Sequence, residues 1–134
     1  MPNDPLSPDV RRFVADVIRS VNELELLLLL REHQDRAWTP QEASARLYQS
    51  EGWVAGHLEA LVVLGLAARE GAHDAPAYRY APGDERTRRT IDALAEAFAR
   101  RRTRVIALIY RPEPSSAERF ADAFRLRRDD EDDA

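Results

Sequence analysis

Three histidines, a dense run of arginines and several close carboxylate pairs are the residues of this chain that could do chemistry. Glu23 and Glu25 form one such pair, as general acid–base work would require. No nucleophile, no histidine at useful spacing and no glycine-rich phosphate loop accompanies them. His33, His57 and His73 lack the close spacing of metal ligands, so neither a metal nor a cofactor is expected. Cysteine is absent, which excludes disulfides, thiolate metal sites and cysteine nucleophiles. These features predict a chain that is not an enzyme.

The charged residues suggest contact chemistry instead. All 20 basic residues are arginine, and Arg100, Arg101, Arg102 and Arg104 are the densest group. They could meet phosphate, an acidic partner or the acidic run at 129–133, or form a solvated helical face paired with nearby carboxylates. That acidic run supplies five negative charges, so a net charge of −4 becomes +1 without it. It reads as a disordered tail, residues 129–134. The composition, 44% apolar and 33% charged, is that of a globular chain. The first residues lack a basic segment followed by an apolar run, and the longest apolar run, Leu26 to Leu30, is far too short to span a bilayer. A cytoplasmic location without membrane contact is expected.

The elements that must position these residues are marked by helix signals. Ser7 and Pro8 open a helix to about residue 19, with Val10, Phe13, Val14, Val17 and Ile18 on one face. Ser20 and Glu23 have capping-box spacing and open a second, whose leucines at 24 and 26–30 point all around it. Such a helix is normally covered on most sides, here by its neighbours and by a second subunit. Thr39, Pro40 and Glu42 open a short third helix with Ala43 and Leu47 inward. Ser50 opens a fourth, with Val54, Leu58, Leu61 and Leu64 on one face and Gly65 ending it. Two short strands around the loop 71–76 form a hairpin over about 66–81. One long helix is expected from about 84 to 110, with Ile91, Leu94, Phe98, Val105, Leu108 and Ile109 in near-heptad spacing. Pro112 and Pro114 stop it, and a last short helix over 116–128 would carry Phe120 and Phe124 on one face. Trp38 reads as a packed anchor beside the central helix. Trp53, in the first turn of the fourth helix, reads as more exposed.

The stretch TPQEASARLYQSEGWVAGHLEALVVLGLAARE, Thr39 to Glu70, resembles the winged helix-turn-helix regulators of the MarR and PadR type. In these a TPxELA helix precedes a serine-capped helix ending in LxxLxxxGLV. Leu58, Leu61, Gly65 and Leu66 stand in those places, with Ala67 where an aliphatic residue is usual. The resemblance implies a mainly α fold with a small β-hairpin wing and extra N- and C-terminal helices. It divides the chain into an extension and helix (1–20), a winged helix domain (21–83), dimerisation helices (84–128) and the tail. It further implies a sequence-specific DNA-binding transcription regulator acting as a homodimer, and the apolar surplus of the leucine-rich helix and the long helix predicts that the dimer uses 8–19 and 90–110. Arg46, Ser50, His57, Arg69 and Arg79 would then contact double-stranded DNA. His73 shares the hairpin with Arg69 and Arg79; all three could reach phosphate or be solvated. Residues 35–70 hold three arginines against five carboxylates, a net −2 that weakens attraction to phosphate. That count supports an alternative, a winged-helix adaptor binding another protein through Trp53, Val54 and the surface to His57.

Overall fold

The computed structural model describes residues 6–110, and the expected helix over 116–128 and the acidic run lie outside them. Six helices and one hairpin follow in order: α1 (Pro8–Val17), α2 (Val21–Glu32), α3 (Pro40–Leu47), α4 (Glu51–Val63), β1 (Ala67–Ala72), β2 (Ala75–Tyr80), α5 (Glu85–Arg100) and α6 (Arg102–Tyr110). This is a helix-turn-helix followed by a wing, flanked by further helices, as expected.

Local side-chain chemistry starts each element. The Ser7, Ser20, Thr39, Ser50 and Asp84 side chains each accept from a backbone N–H of the first turn. At α3 the capping box is complete: Thr39 accepts from the Glu42 N–H at 3.1 Å, and the Glu42 carboxylate accepts from the Thr39 N–H at 2.9 Å. The Thr39 backbone donor, reinforced by Arg36, holds the Glu42 carboxyl below the usual carboxylate range. At α2 the reciprocal half differs from expectation. Glu23 accepts from the N–H of Arg19, one residue before the cap, because the chain runs extended through Ile18 into Ser20.

The α3–α4 turn passes through Tyr48 in the left-handed region (φ 56°), with the Ser44 hydroxyl donating to the Gln49 carbonyl. Gly65 (φ 77°) turns the chain out of α4 into β1. The strands pair antiparallel in the register Ala67 to Tyr80 through Ala72 to Ala75. At Gly71 (φ 86°) an added Cβ would lie 2.9 Å from the Ala75 carbonyl, so the hairpin needs glycine there. Trp38 adds one antiparallel bridge to β2: it and Tyr78 each donate a backbone N–H to the other's carbonyl at 2.8 Å.

The core is built around α2. Leu24, Leu26, Leu27, Leu29 and Leu30 are all buried, while Leu28 is half-buried. α3, α4 and β2 pack on this helix, and α1 packs on α5 and α6. One chain thus covers most of the leucine run that suggested a second subunit. Trp38 is buried as expected, between His33 and the Arg36 guanidinium, which lies 3.8 Å over its ring.

Two expectations are corrected. The long helix over 84–110 is broken at Arg101 (φ −133°, ψ 52°). Beyond the break α6 packs on α1, and Val105, Leu108 and Ile109 are buried. Leu64, expected inward, is half exposed, because it is the C-cap of α4 and the chain turns away at Gly65. No helix among the described residues is long and apolar enough to cross a membrane.

Candidate nucleic-acid interface

The N-terminal half of α4 lies between the α3 turn and the hairpin, and its faces have different uses. Val54, Leu58 and Leu61 face the core. Val54 is fully buried, which corrects its assignment as a partner contact: four residues before Leu58, it shares the inward row of the helix.

A second face turns towards α2. Trp53 is half-buried, and its ring stacks on that of His57 with centroids 4.0 Å apart. His57 Nδ1 lies 2.8 Å from the Trp53 carbonyl and Nε2 lies 3.3 Å from the Glu23 carboxylate. Both partner atoms are acceptors, and the ring's tautomer decides which of the two nitrogens donates. His57 therefore ties α4 to α2 and does not point outward as a base reader.

A third face meets the hairpin. The Tyr78 hydroxyl donates to Glu59, and Arg69 lies 3.5 Å from the same carboxylate. Burial first, and the hydrogen bond to Glu59 second, push the Tyr78 hydroxyl up to about 12. The neutral phenol is thus favoured in the folded chain. Its contribution to stability is complete below the ordinary tyrosine value near 10 and is lost as pH rises from there towards about 12. Absorbance titration at 295 nm should show tyrosinate forming late for Tyr78 and for Tyr80, whose hydroxyl is also pushed up by burial, and Tyr78→Phe should remove the component nearest that upper limit. A titration unchanged by the substitution would contradict the contact.

The remaining face of α4 is open. Gly52, Gly56 and Ala60 are exposed, and a Cβ built on either glycine meets nothing within 4 Å. No side-chain donor sits among these three residues. Around them the arginines differ in availability. Arg46 is exposed on α3, 5.7 Å from the Trp38 ring, with no ion pair among the described residues. Ser50 is exposed, although its oxygen serves as the α4 cap. Arg69 is engaged by Glu59, and Arg79 by Glu70 at 2.8 Å and the Gln34 carbonyl at 3.3 Å. The Arg79 guanidinium holds the Glu70 carboxyl below the usual range. His73 is exposed at the hairpin turn.

Of the five expected contact residues, Arg46 and Ser50 thus flank the open face, while His57, Arg69 and Arg79 are occupied within the chain. The arginine run sits apart at the α5–α6 break, with Arg100 paired to Glu96 and Arg102 lying 4.4 Å over the Phe98 ring. Sequence reasoning missed the open stripe, whose signal was small residues four apart at 52, 56 and 60. It also missed Glu59 as the shared partner of Tyr78 and Arg69, which no local pattern marks. Among the described residues no group of three acidic or histidine side chains could hold a metal.

Solved structures share this architecture. MepR of Staphylococcus aureus, a transcription regulator of the multidrug efflux pump MepA, aligns with a TM-score of 0.51 at 13% identity, over 89% of this chain and 86% of its own. BpsR of Bordetella bronchiseptica, whose DNA binding is regulated by 6-hydroxynicotinic acid, gives 0.50 at 17% identity, over 90% and 81%. A MarR family protein from Bacillus stearothermophilus gives 0.50 at 19% identity, over 92% and 81%. No protein-family model matches the sequence, and no curated protein matches it. These neighbours are regulators in name, and what they share with this chain is architecture: the protein has the winged helix-turn-helix fold of the MarR-type regulators.

Proposed function

We propose that the protein is a transcription regulator that binds double-stranded DNA as a homodimer. The observation that carries this reading is the unobstructed face of α4, with Gly52 and Gly56 open to solvent between Arg46 and the hairpin. A helix without bulky side chains on its outer face can seat closely in the major groove, leaving base and phosphate contacts to the residues at its edges. Arg46 supplies a phosphate contact without breaking an existing pair. Arg69 and Arg79 must exchange Glu59 and Glu70 for phosphate, so each contributes less. Two such units related by a two-fold axis would read half-sites about one helical turn, ~34 Å, apart. The faces assigned to dimerisation are 8–19 and 90–110, where Asp9, Arg12, Asp16, Ala99 and Ala107 remain exposed.

Fluorescence anisotropy against random duplex at low salt, followed by selection from a duplex library, tests the reading. Non-specific Kd values of roughly 10⁻⁴–10⁻⁶ M and at least ~10³-fold tighter binding to a selected sequence are expected. Arg46→Ala should weaken binding more than Arg69→Ala or Arg79→Ala, and should lower the salt slope by about 1. Light scattering at micromolar concentration should give twice the 15.3 kDa chain mass. No binding to any duplex at low salt would overturn the proposal. That result would favour the protein-binding adaptor, the reading supported by five carboxylates against three arginines over 35–70.

A further inference from the structure

Between Leu47, the last residue of α3, and Ser50, the cap of α4, the chain has two residues in which to turn. Tyr48 takes the turn in the left-handed region (φ 56°, ψ 40°). Among the described residues it alone, apart from glycines, has a positive φ. Hydrogen bonds hold it there: its N–H and that of Gln49 both donate to the Ser44 carbonyl, and the Ser44 hydroxyl donates to the Gln49 carbonyl. Glycine or asparagine is the usual residue at such a helix end, because a Cβ crowds the following carbonyl. A bulky ring at positive φ is an outlier that local structure does not call for. Packing does not call for it either. Tyr48 is 93% exposed, more than any other large apolar side chain described, and its hydroxyl has no hydrogen-bond partner among the described residues. One residue thus combines a strained backbone with a large ring in water, and no contact within the chain offsets either. Such outliers gather at functional sites.

The position of the ring indicates its partner. The turn leads into the open face of α4 assigned above to the major groove, and the inference rests on that reading. When the second helix of this motif enters the groove, the first crosses the sugar–phosphate backbone. The turn between them then lies at the groove edge, beside phosphates. Across residues 45–52 the charges are Arg46 and Glu51, a net of zero. Net charge therefore adds little attraction here, and contact depends on directed hydrogen bonds. Tyrosine hydroxyls are among the side-chain donors that bind phosphate oxygens. We infer that Tyr48 donates its hydroxyl to a DNA phosphate oxygen, and that the strained turn holds the ring outward for this contact before DNA arrives. A donor fixed in advance loses less freedom on binding.

Two substitutions in the full-length chain separate the hydroxyl from the backbone. Tyr48→Phe keeps the ring and the strain and removes only the donor. Tyr48→Gly removes the ring and relieves the strain. Anisotropy against random duplex at low salt should show Tyr48→Phe binding about tenfold more weakly than wild type, as for a lost hydrogen bond to a charged group, and Tyr48→Gly at least as weakly. The loss should be the same on a selected sequence, because phosphate carries no sequence information. Because a hydroxyl releases no counterion, the salt slope should stay that of wild type, unlike that of Arg46→Ala. The thermal midpoint should be unchanged for Tyr48→Phe and should hold or rise by a few degrees for Tyr48→Gly. Weaker binding by a chain of equal or greater stability marks a residue that serves contact rather than folding. Equal binding by wild type and Tyr48→Phe overturns the inference and leaves the reading of α4 intact. Failure of wild type to bind any duplex overturns both. A midpoint several degrees lower for Tyr48→Gly also overturns the inference, by giving the ring a structural role. So does a changed light-scattering mass, which places Tyr48 between two copies.

Discussion

Gly56→Glu is expected to lower affinity for duplex DNA by at least tenfold while leaving the fold intact or slightly more stable. The two halves of this result have separate causes. A Cβ at Gly56 meets nothing within 4 Å, so the larger side chain meets no steric conflict. Glycine inside a helix is less favourable than alanine by about 0.5–1 kcal/mol, and glutamate is itself a good helix former. The thermal midpoint should therefore hold or rise by a few degrees. The new carboxylate would stand on the face assigned to the groove, where a like charge costs more than the ~1.4 kcal/mol that separates a factor of ten. Gly56→Ala is the control: it should show the gain in stability without the electrostatic loss. Equal affinity for wild type and Gly56→Glu would show that DNA, if bound, is read by another face. A fall in midpoint would contradict the open geometry.

Leu27→Ala should reduce stability by about 2–5 kcal/mol, whereas Leu28→Ala should cost much less. The two residues are adjacent and chemically identical, so the contrast isolates position. Leu27 is fully buried at the centre of α2, and truncation leaves a cavity that the packed elements cannot close. Leu28 is half-buried beside Phe98 and Ala99, where water can replace the lost methyl groups. Domains of this kind have net stabilities of roughly 5–15 kcal/mol, so the Leu27 substitution would remove a large part of the whole. Denaturant titration measures both. A loss at Leu28 equal to that at Leu27 would mean that a second copy covers this surface in solution.

What could be read from the sequence was what neighbouring residues decide among themselves. Ser7, Thr39 and Ser50 announce their helices because the cap and its N–H partner are three residues apart, and Gly65 announces the exit from α4 through its own backbone freedom. The break at Arg101 was hidden. The apolar row from Phe98 to Val105 keeps its seven-residue step, and the bend is decided by α6 packing on α1, far away in sequence. His57 looked like an outward reader because its partner, Glu23, belongs to a different helix. Val54 shares the apolar row of Leu58 and Leu61 by spacing alone, so its burial was legible and its second use as a partner contact conflicted with it. Arg69 and Arg79 were legible as hairpin cations. Their availability was not, since it depends on Glu59 and Glu70 finding them in three dimensions.

The bridge between Trp38 and Tyr78 fixes how this molecule opens as well as how it holds. Its two reciprocal hydrogen bonds clasp the ends of a segment that contains α3, α4, β1 and most of β2. Closing so long a loop carries an entropic penalty that grows only with the logarithm of its length, so the clasp is best closed late, after the enclosed helices have packed. Once it is closed, the amide protons of Trp38 and Tyr78 cannot reach solvent by fraying at a helix end or at the hairpin tip. Each is released only when the clasp itself opens, so the two are expected to exchange at one common rate, read by native-state hydrogen exchange.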